Sequence, residues 1–240
     1  MRARRTASSC TRTVSCSLRW SFKVFVMDRS LVTPYLFTRY LPPGEHAYAN
    51  HSTFLIGQLA HHLKGFRSAV RLFEHCGSQR EAARLSGQWL YDPDRDHDDW
   101  MFIAARAAAM EVYHYWHIAC ALKSTVGRCA SVRHLIDDAA IQGAIHILEG
   151  SFDPIELRRH AISHAAEMVT TPERFQNHFP SDTGDWLISA LDVDGTLKLK
   201  HTGQKMTISV SDASIVKLDN ITRRIFAAIK PAADWTFQVH

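Results

Sequence analysis

Several familiar signals are missing from this sequence, and each absence narrows what it can be. Its five cysteines, Cys10, Cys16, Cys76, Cys120 and Cys129, include no CxxC pair and no regular spacing. That pattern indicates neither a zinc knuckle nor a disulfide scaffold, and it fits a reducing, cytoplasmic compartment. No glycine-rich phosphate loop of the Walker or dinucleotide type occurs. No stretch reaches the roughly 18 uninterrupted apolar residues that a membrane helix requires, so no membrane partner is expected. Net charge is small: 28 Lys and Arg against 24 Asp and Glu give +4 over 240 residues, too mild to announce nucleic acid by itself.

Acid is what the start of the chain lacks. Asp28 is the first acidic residue, after Arg2, Arg4, Arg5, Arg12, Arg19 and many Ser and Thr. An Arg- and Ser-rich leader of this kind resembles an organelle transit peptide; the reading preferred is a disordered extension, or translated upstream sequence with the start at Met27. Pro34, Pro42 and Pro43 followed by Gly44 keep the next residues irregular or extended, because proline removes an amide donor and restricts its predecessor. Residues 1–46 are therefore assigned to an N-terminal extension, with the folded body beginning near Ala47.

What the sequence does have is apolar residues, 46% of the total, in patterns that are mostly helical. Phe54, Leu55, Leu59 and Leu63 predict a helix ending at Gly65, Phe66, Val70 and Phe73 a second ending at Gly77, and Ser78 to Trp89 a third. From Trp100 to about Lys123 there is no Gly or Pro, and apolar residues lie on more than one side, which predicts a central buried helix. Val132, Leu135, Ile136, Ala139, Ile145 and Leu148 form the core face of the next, and Asp153-Pro154 opens another through about Val169. Thr171-Pro172-Glu173 begins a short one. The period then turns to two: Leu197 and Leu199, then Met206, Ile208 and Val210, flank His201-Thr202-Gly203-Gln204 as a hairpin, with Trp186 to Ala190 as a further strand. Ile215, Leu218, Ile221, Ile225 and Ile229 predict a last helix that Pro231 ends. The expected fold is mainly α, a helical bundle (47–182) with a small C-terminal β-hairpin followed by a helix (183–240), the latter read as packing or an oligomer contact.

Fifteen histidines stand out, and the most suggestive are in Arg158-Arg159-His160-Ala161-Ile162-Ser163-His164. Here an arginine precedes a histidine by five positions on a predicted helix, with a polar residue directly after Arg159. The chain resembles the HEPN superfamily of helical nucleotide-binding and ribonuclease domains. Its signature is an arginine, about four to six residues of which the first is usually polar, then a histidine. The late position of the motif behind a long central helix is also similar, and the likeness spans about residues 50 to 180. It implies a homodimer that binds or cleaves RNA without metal or cofactor, in a cleft built from two protomers. His164 would be the general acid/base and Arg159 the cation for the phosphate, with Arg158 and His160 positioning substrate; an antitoxin-like protein is a further implied partner. The chemistry has its own rationale, since metal-free RNA cleavage needs a proton-transfer group and a cation for the transition-state phosphate. On one helix Arg159 and His164 lie about 140° apart, so sharing a phosphate takes the long arginine side chain, an irregular helix start or a second subunit.

Other readings compete. A non-catalytic interaction protein would use the same residues as surface polar groups and the hairpin and last helix for assembly. A metal site is suggested by Glu111-x-x-His114 and by Glu156, His160 and His164, but a dinuclear bundle wants two Glu-x-x-His helices, and His114 and His117 among Tyr113, Tyr115 and Trp116 read as core. Leu191-Asp192-Val193-Asp194-Gly195-Thr196-Leu197 looks like the nucleophile motif of the haloacid-dehalogenase superfamily. The 43 residues after Leu197 leave no room for that fold, and an Asp-Gly turn between strands explains the same letters. Cys76, Cys120 and Cys129 have no recognisable histidine pairing.

Overall fold

The structure, a computed structural model, describes residues 31–87, 96–163, 189–191, 196–201 and 204–238, with Thr171, Glu173 and Gln176. The Arg-rich leader, the polar connection around Asp92, His164, the short helix expected at Pro172, the strand residue Trp186 and the turn Asp192–Gly195 lie outside the described residues. From Val32 onward the chain forms one compact unit, and it is mainly α-helical with a small antiparallel sheet before the last helix.

Two long helices dominate. The three helices expected between Asn50 and Trp89 are one, α1 (His46–Leu85), about 60 Å long at 1.5 Å per residue. Gly65 and Gly77 do not end it. A glycine within a helix costs only about 1 kcal/mol, and the buried stripe Leu55, Leu59, Leu63, Phe66, Val70 and Phe73 runs through Gly65 unbroken. That stripe packs on α2 (Asp96–Val126). The pairing is antiparallel, since Arg80 bridges to Asp98, His62 to Glu111, and Arg128 lies over the Tyr48 ring. Glu45, at the start of α1, accepts bonds from the amide and hydroxyl of Ser131.

The central helix is less buried than its composition suggests. Its core face is Met101, Ala104, Ala105, Ala108, Val112, Tyr115, Ala119 and Leu122, while Trp100 and Ile103 are half exposed. Small alanines let α1 approach closely; the wider apolar pattern leaves residues over at the helix start.

A single 3-10 turn, Arg133–Leu135, leads to α3 (Asp138–Ser151), capped by the Asp137 carboxylate accepting from the Ala140 amide. Ala139, expected in its core face, is exposed; Ile141, Ala144, Ile145 and Leu148 are the buried positions. The short α4 (Ile155–Ser163) follows. Strands β1 (Ser189–Leu191), β2 (Thr196–His201) and β3 (Gln204–Ser209) form an antiparallel sheet in that order, with Leu199 opposite Met206 and Leu197 opposite Ile208. All four of those side chains are buried, as the alternation requires.

The closing helix α5 (Asp212–Gln238) continues through Pro231. Pro231 sits on the exposed side, while Ala228, Ile229, Ala232 and Ala233 are buried around it, so packing carries the helix past its missing hydrogen bond. This helix shares the core of the others. Tyr115 of α2 bonds to Thr222 at 2.8 Å, Arg67 of α1 pairs with Asp219, and the Asp137 amide donates to the Ala228 carbonyl. The segment before α1 packs here as well: Leu36 is fully buried and the Phe37 amide donates to Thr236.

Candidate functional site

Helix α4 is held by two arginines, one of its own and one from α2. Arg158 is 6% exposed; its two terminal nitrogens donate to the carbonyls of Phe152 and Asp153, clamping the corner between α3 and α4. Its Nε has no hydrogen-bond partner among the described residues, and burial pulls its pKa down to about 10. At the other end Arg106 of α2 donates to the Ile162 carbonyl at 2.8 Å, a cation at a helix C-terminus, where it is favourable. Ile155, Ala161 and Ile162 bury the inner face.

The next residue, Arg159, is rotated by about 100° and leaves that interior. Its guanidinium stands 5.5 Å over the Tyr113 ring of α2, a cation–π contact worth about 0.5–1 kcal/mol at an exposed site. Helical spacing puts His114 and His117 beside Tyr113. His117 bonds to the Tyr113 hydroxyl at 2.7 Å, and Trp116 lies 5.0 Å from the His117 ring while donating to Glu149. Both histidines are exposed, which corrects the expectation that they belong to the core: the buried face of α2 runs through Val112, Tyr115 and Ala119, on the other side.

Across from them, α1 contributes His61 and His62. The His62 ring stacks on His114 with centroids 5.4 Å apart, and its Nδ1 meets the Glu111 carboxylate at 2.7 Å. The His62 and Glu111 side chains are 16% and 27% exposed, so the pair is sheltered without being cut off from water. Gly65 makes room for it: a Cβ there would lie 2.6 Å from the Glu111 carboxyl carbon. A carboxylate, two imidazoles and a guanidinium thus stand together across three helices. His114 is held below its ordinary pKa, first by partial loss of hydration, then by His62, His117 and Arg159, with Glu111 opposing.

Of the residues singled out in the motif, the structure brings Arg159 to this cluster, turns Arg158 into the α3–α4 corner and leaves His160 half-buried on α4. Among the described residues no trio of His, Cys, Asp and Glu is disposed to hold a metal. Glu111, the carboxylate of the suspected metal pair, is engaged by His62 instead. The three described cysteines are ill suited as nucleophiles. Burial raises the thiol pKa of Cys76 and Cys120, and that of Cys129 to about 11, away from the thiolate that reacts.

Sequence reasoning missed His61 and His62. Their signal was available: an uninterrupted α1 folded back on α2 about a short connection sets position 62 opposite 111 to 114, but a break at Gly65 hides that register. Comparison of the chain with protein-family models, with curated proteins and with solved structures finds no match.

Proposed function

We propose that this protein binds single-stranded RNA on the α1–α2–α4 face and cleaves it without a metal, as a HEPN-like ribonuclease would. What carries the reading is the Arg159 guanidinium over Tyr113, beside the stacked His62 and His114. Arginine offers a planar fork to a phosphate, imidazoles exchange protons near neutral pH, and unpaired bases stack on exposed aromatic rings and arginine planes. Tyr113, Trp116 and His117 supply such rings, with the Tyr113 and His117 centroids 4.6 Å apart. In this reading the motif assigns general acid/base work to His164 and substrate positioning to His160; Arg159 is the cation for the phosphate, and Arg158 positions α4 rather than RNA. A homodimer and an antitoxin-like partner belong to the same reading.

The test is cleavage of a mixed RNA pool in EDTA by the full chain and by Arg159→Ala and His164→Ala. Arg159→Ala is expected to lose about 10²-fold or more in kcat/KM, the scale of one transition-state donor. Absence of both RNA binding and cleavage in the unaltered protein would end the reading.

A second reading, a non-catalytic interaction protein, is favoured by a separate surface. Tyr35, Phe37 and Phe237 are 49%, 38% and 63% exposed and pack ring to ring, Tyr35 on Phe37 at 4.5 Å and Phe37 on Phe237 at 5.6 Å. Exposed aromatic clusters of this kind are enriched where proteins meet.

A further inference from the structure

The α1–α2 pair offers more than the arginine–histidine motif that drew attention to α4. Two imidazoles from different helices face each other, and they are not equivalent. His62 has Nδ1 committed to the Glu111 carboxylate at 2.7 Å, which leaves its Nε2 for other partners. His114 has no such carboxylate bond among the described residues and is the more exposed of the two. Groups that face this pair are His61 of α1, Glu111, Tyr113 and His117 of α2, and Arg159 of α4. A carboxylate bonded to one ring nitrogen orients an imidazole and stabilises its protonated form.

We propose that His114 and the His62–Glu111 pair, in place of His164, are the acid/base couple of the RNA-cleaving site, with His114 as base and His62 as acid. This rests on the reading of the α1–α2–α4 face as an RNA site. His114 takes the proton of a ribose 2′-hydroxyl as the 2′-oxygen bonds to phosphorus. The bond from phosphorus to the 5′-oxygen breaks, and that oxygen takes a proton from the His62 imidazolium. Products are a 2′,3′-cyclic phosphate and a 5′-hydroxyl. One proton enters at His114 and one leaves from His62, so exchange with water resets the pair, and nothing is oxidised or reduced. Arg159 faces the charge that gathers on the phosphoryl oxygens. The depressed pKa of His114 agrees with its part, because a base must be unprotonated at working pH.

The experiment uses the full chain and a single-stranded RNA oligonucleotide in EDTA, with an all-2′-deoxy oligonucleotide as an uncleavable binding probe. His62→Gln and His114→Gln are each expected to lower kcat by about 10²–10⁴-fold, the range for a positioned acid or base, while binding the deoxy probe as the unaltered protein does. The rate should rise with pH as His114 loses its proton, and His114→Gln flattens that rise. Glu111→Gln keeps the shape of the pair and removes the charge, so the His114 limb moves to lower pH, an effect that mere loss of packing does not produce. If the unaltered protein cleaves, His164→Ala abolishes cleavage, and both glutamine variants keep full rate and the rising limb, the couple is overturned while the RNA reading stands. If the unaltered protein neither cleaves RNA nor binds the probe, the RNA reading falls and the couple with it.

Discussion

The two sides of α2 are built from similar letters and treated in opposite ways. On the inner side Tyr115 is fully buried against α5, and its one polar atom has one partner: the hydroxyl donates to Thr222, whose own hydroxyl donates to the Leu218 carbonyl at 2.8 Å. Burial raises its pKa far above the usual phenol value, so it stays neutral. On the outer side Tyr113, His114 and His117 gather imidazoles and a guanidinium where water still reaches them. The inner tyrosine is part of the fold; the outer group brings together more acid/base and cationic chemistry than packing needs.

That comparison breaks most visibly under truncation. Tyr115→Ala removes a buried aromatic ring and should cost about 3–5 kcal/mol in denaturant unfolding, whereas Tyr113→Ala should cost about 1 kcal/mol, the scale of its cation–π contact. Equal costs would mean that the outer ring is structural too.

The neighbouring arginines repeat the contrast at smaller scale. Arg158→Ala strands the buried Phe152 carbonyl and frees that of Asp153 at the α3–α4 corner and should destabilise by about 2–3 kcal/mol, the scale of charge-assisted hydrogen bonds. Arg159→Ala should change stability by no more than about 1 kcal/mol, the scale of its cation–π contact, and under the proposed function its larger effect is on RNA binding. Thermal or urea unfolding of the two single variants decides this, and a large cost at Arg159 would reassign it to the fold.

Much of the fold is legible in the sequence because it rests on local periodicity. The alternation of Leu197, Leu199, Met206 and Ile208 identifies the hairpin, and all four are buried. Misreadings arise where tertiary packing overrides a local signal. Gly65 and Gly77 read as stops and Pro231 as an end, yet each lies within a helix held by its neighbours. The candidate site was half legible. Arg159, Glu111, Tyr113 and His114 stand out in their own segments, but the partnership of His62 with Glu111 spans 49 positions and follows only from the register of α1 on α2.

Gly65 tests that register directly. In a helix interior, alanine is favoured over glycine by about 1 kcal/mol, so a glycine there asks for a reason, and the Glu111 carboxylate beside it supplies one. Gly65→Ala should leave the melting temperature close to unchanged or slightly raised, since the glutamate end can swing aside. The same swing parts Glu111 from His62, and the ring NMR shifts of His62 at one fixed pH should then respond no further to Glu111→Gln. A full loss of folding would instead show that the helices cannot yield.

The smallest expected effect sharpens the comparison most, because it isolates the electrostatics of the outer face. Partial dehydration, His62, His117 and Arg159 hold His114 below 6.5, its value when unfolded. Between the two values the unfolded chain binds more protons than the folded one, so this residue's contribution to stability is complete above about pH 6.5 and declines as pH falls from there. His114→Gln should remove that part of the slope. Arg159→Ala should raise the His114 pKa, and Glu111→Gln should lower it. An NMR titration of the imidazole in the three proteins reads these signs directly, and an unmoved His114 in Arg159→Ala would mean that the guanidinium does not act on the histidines it stands beside.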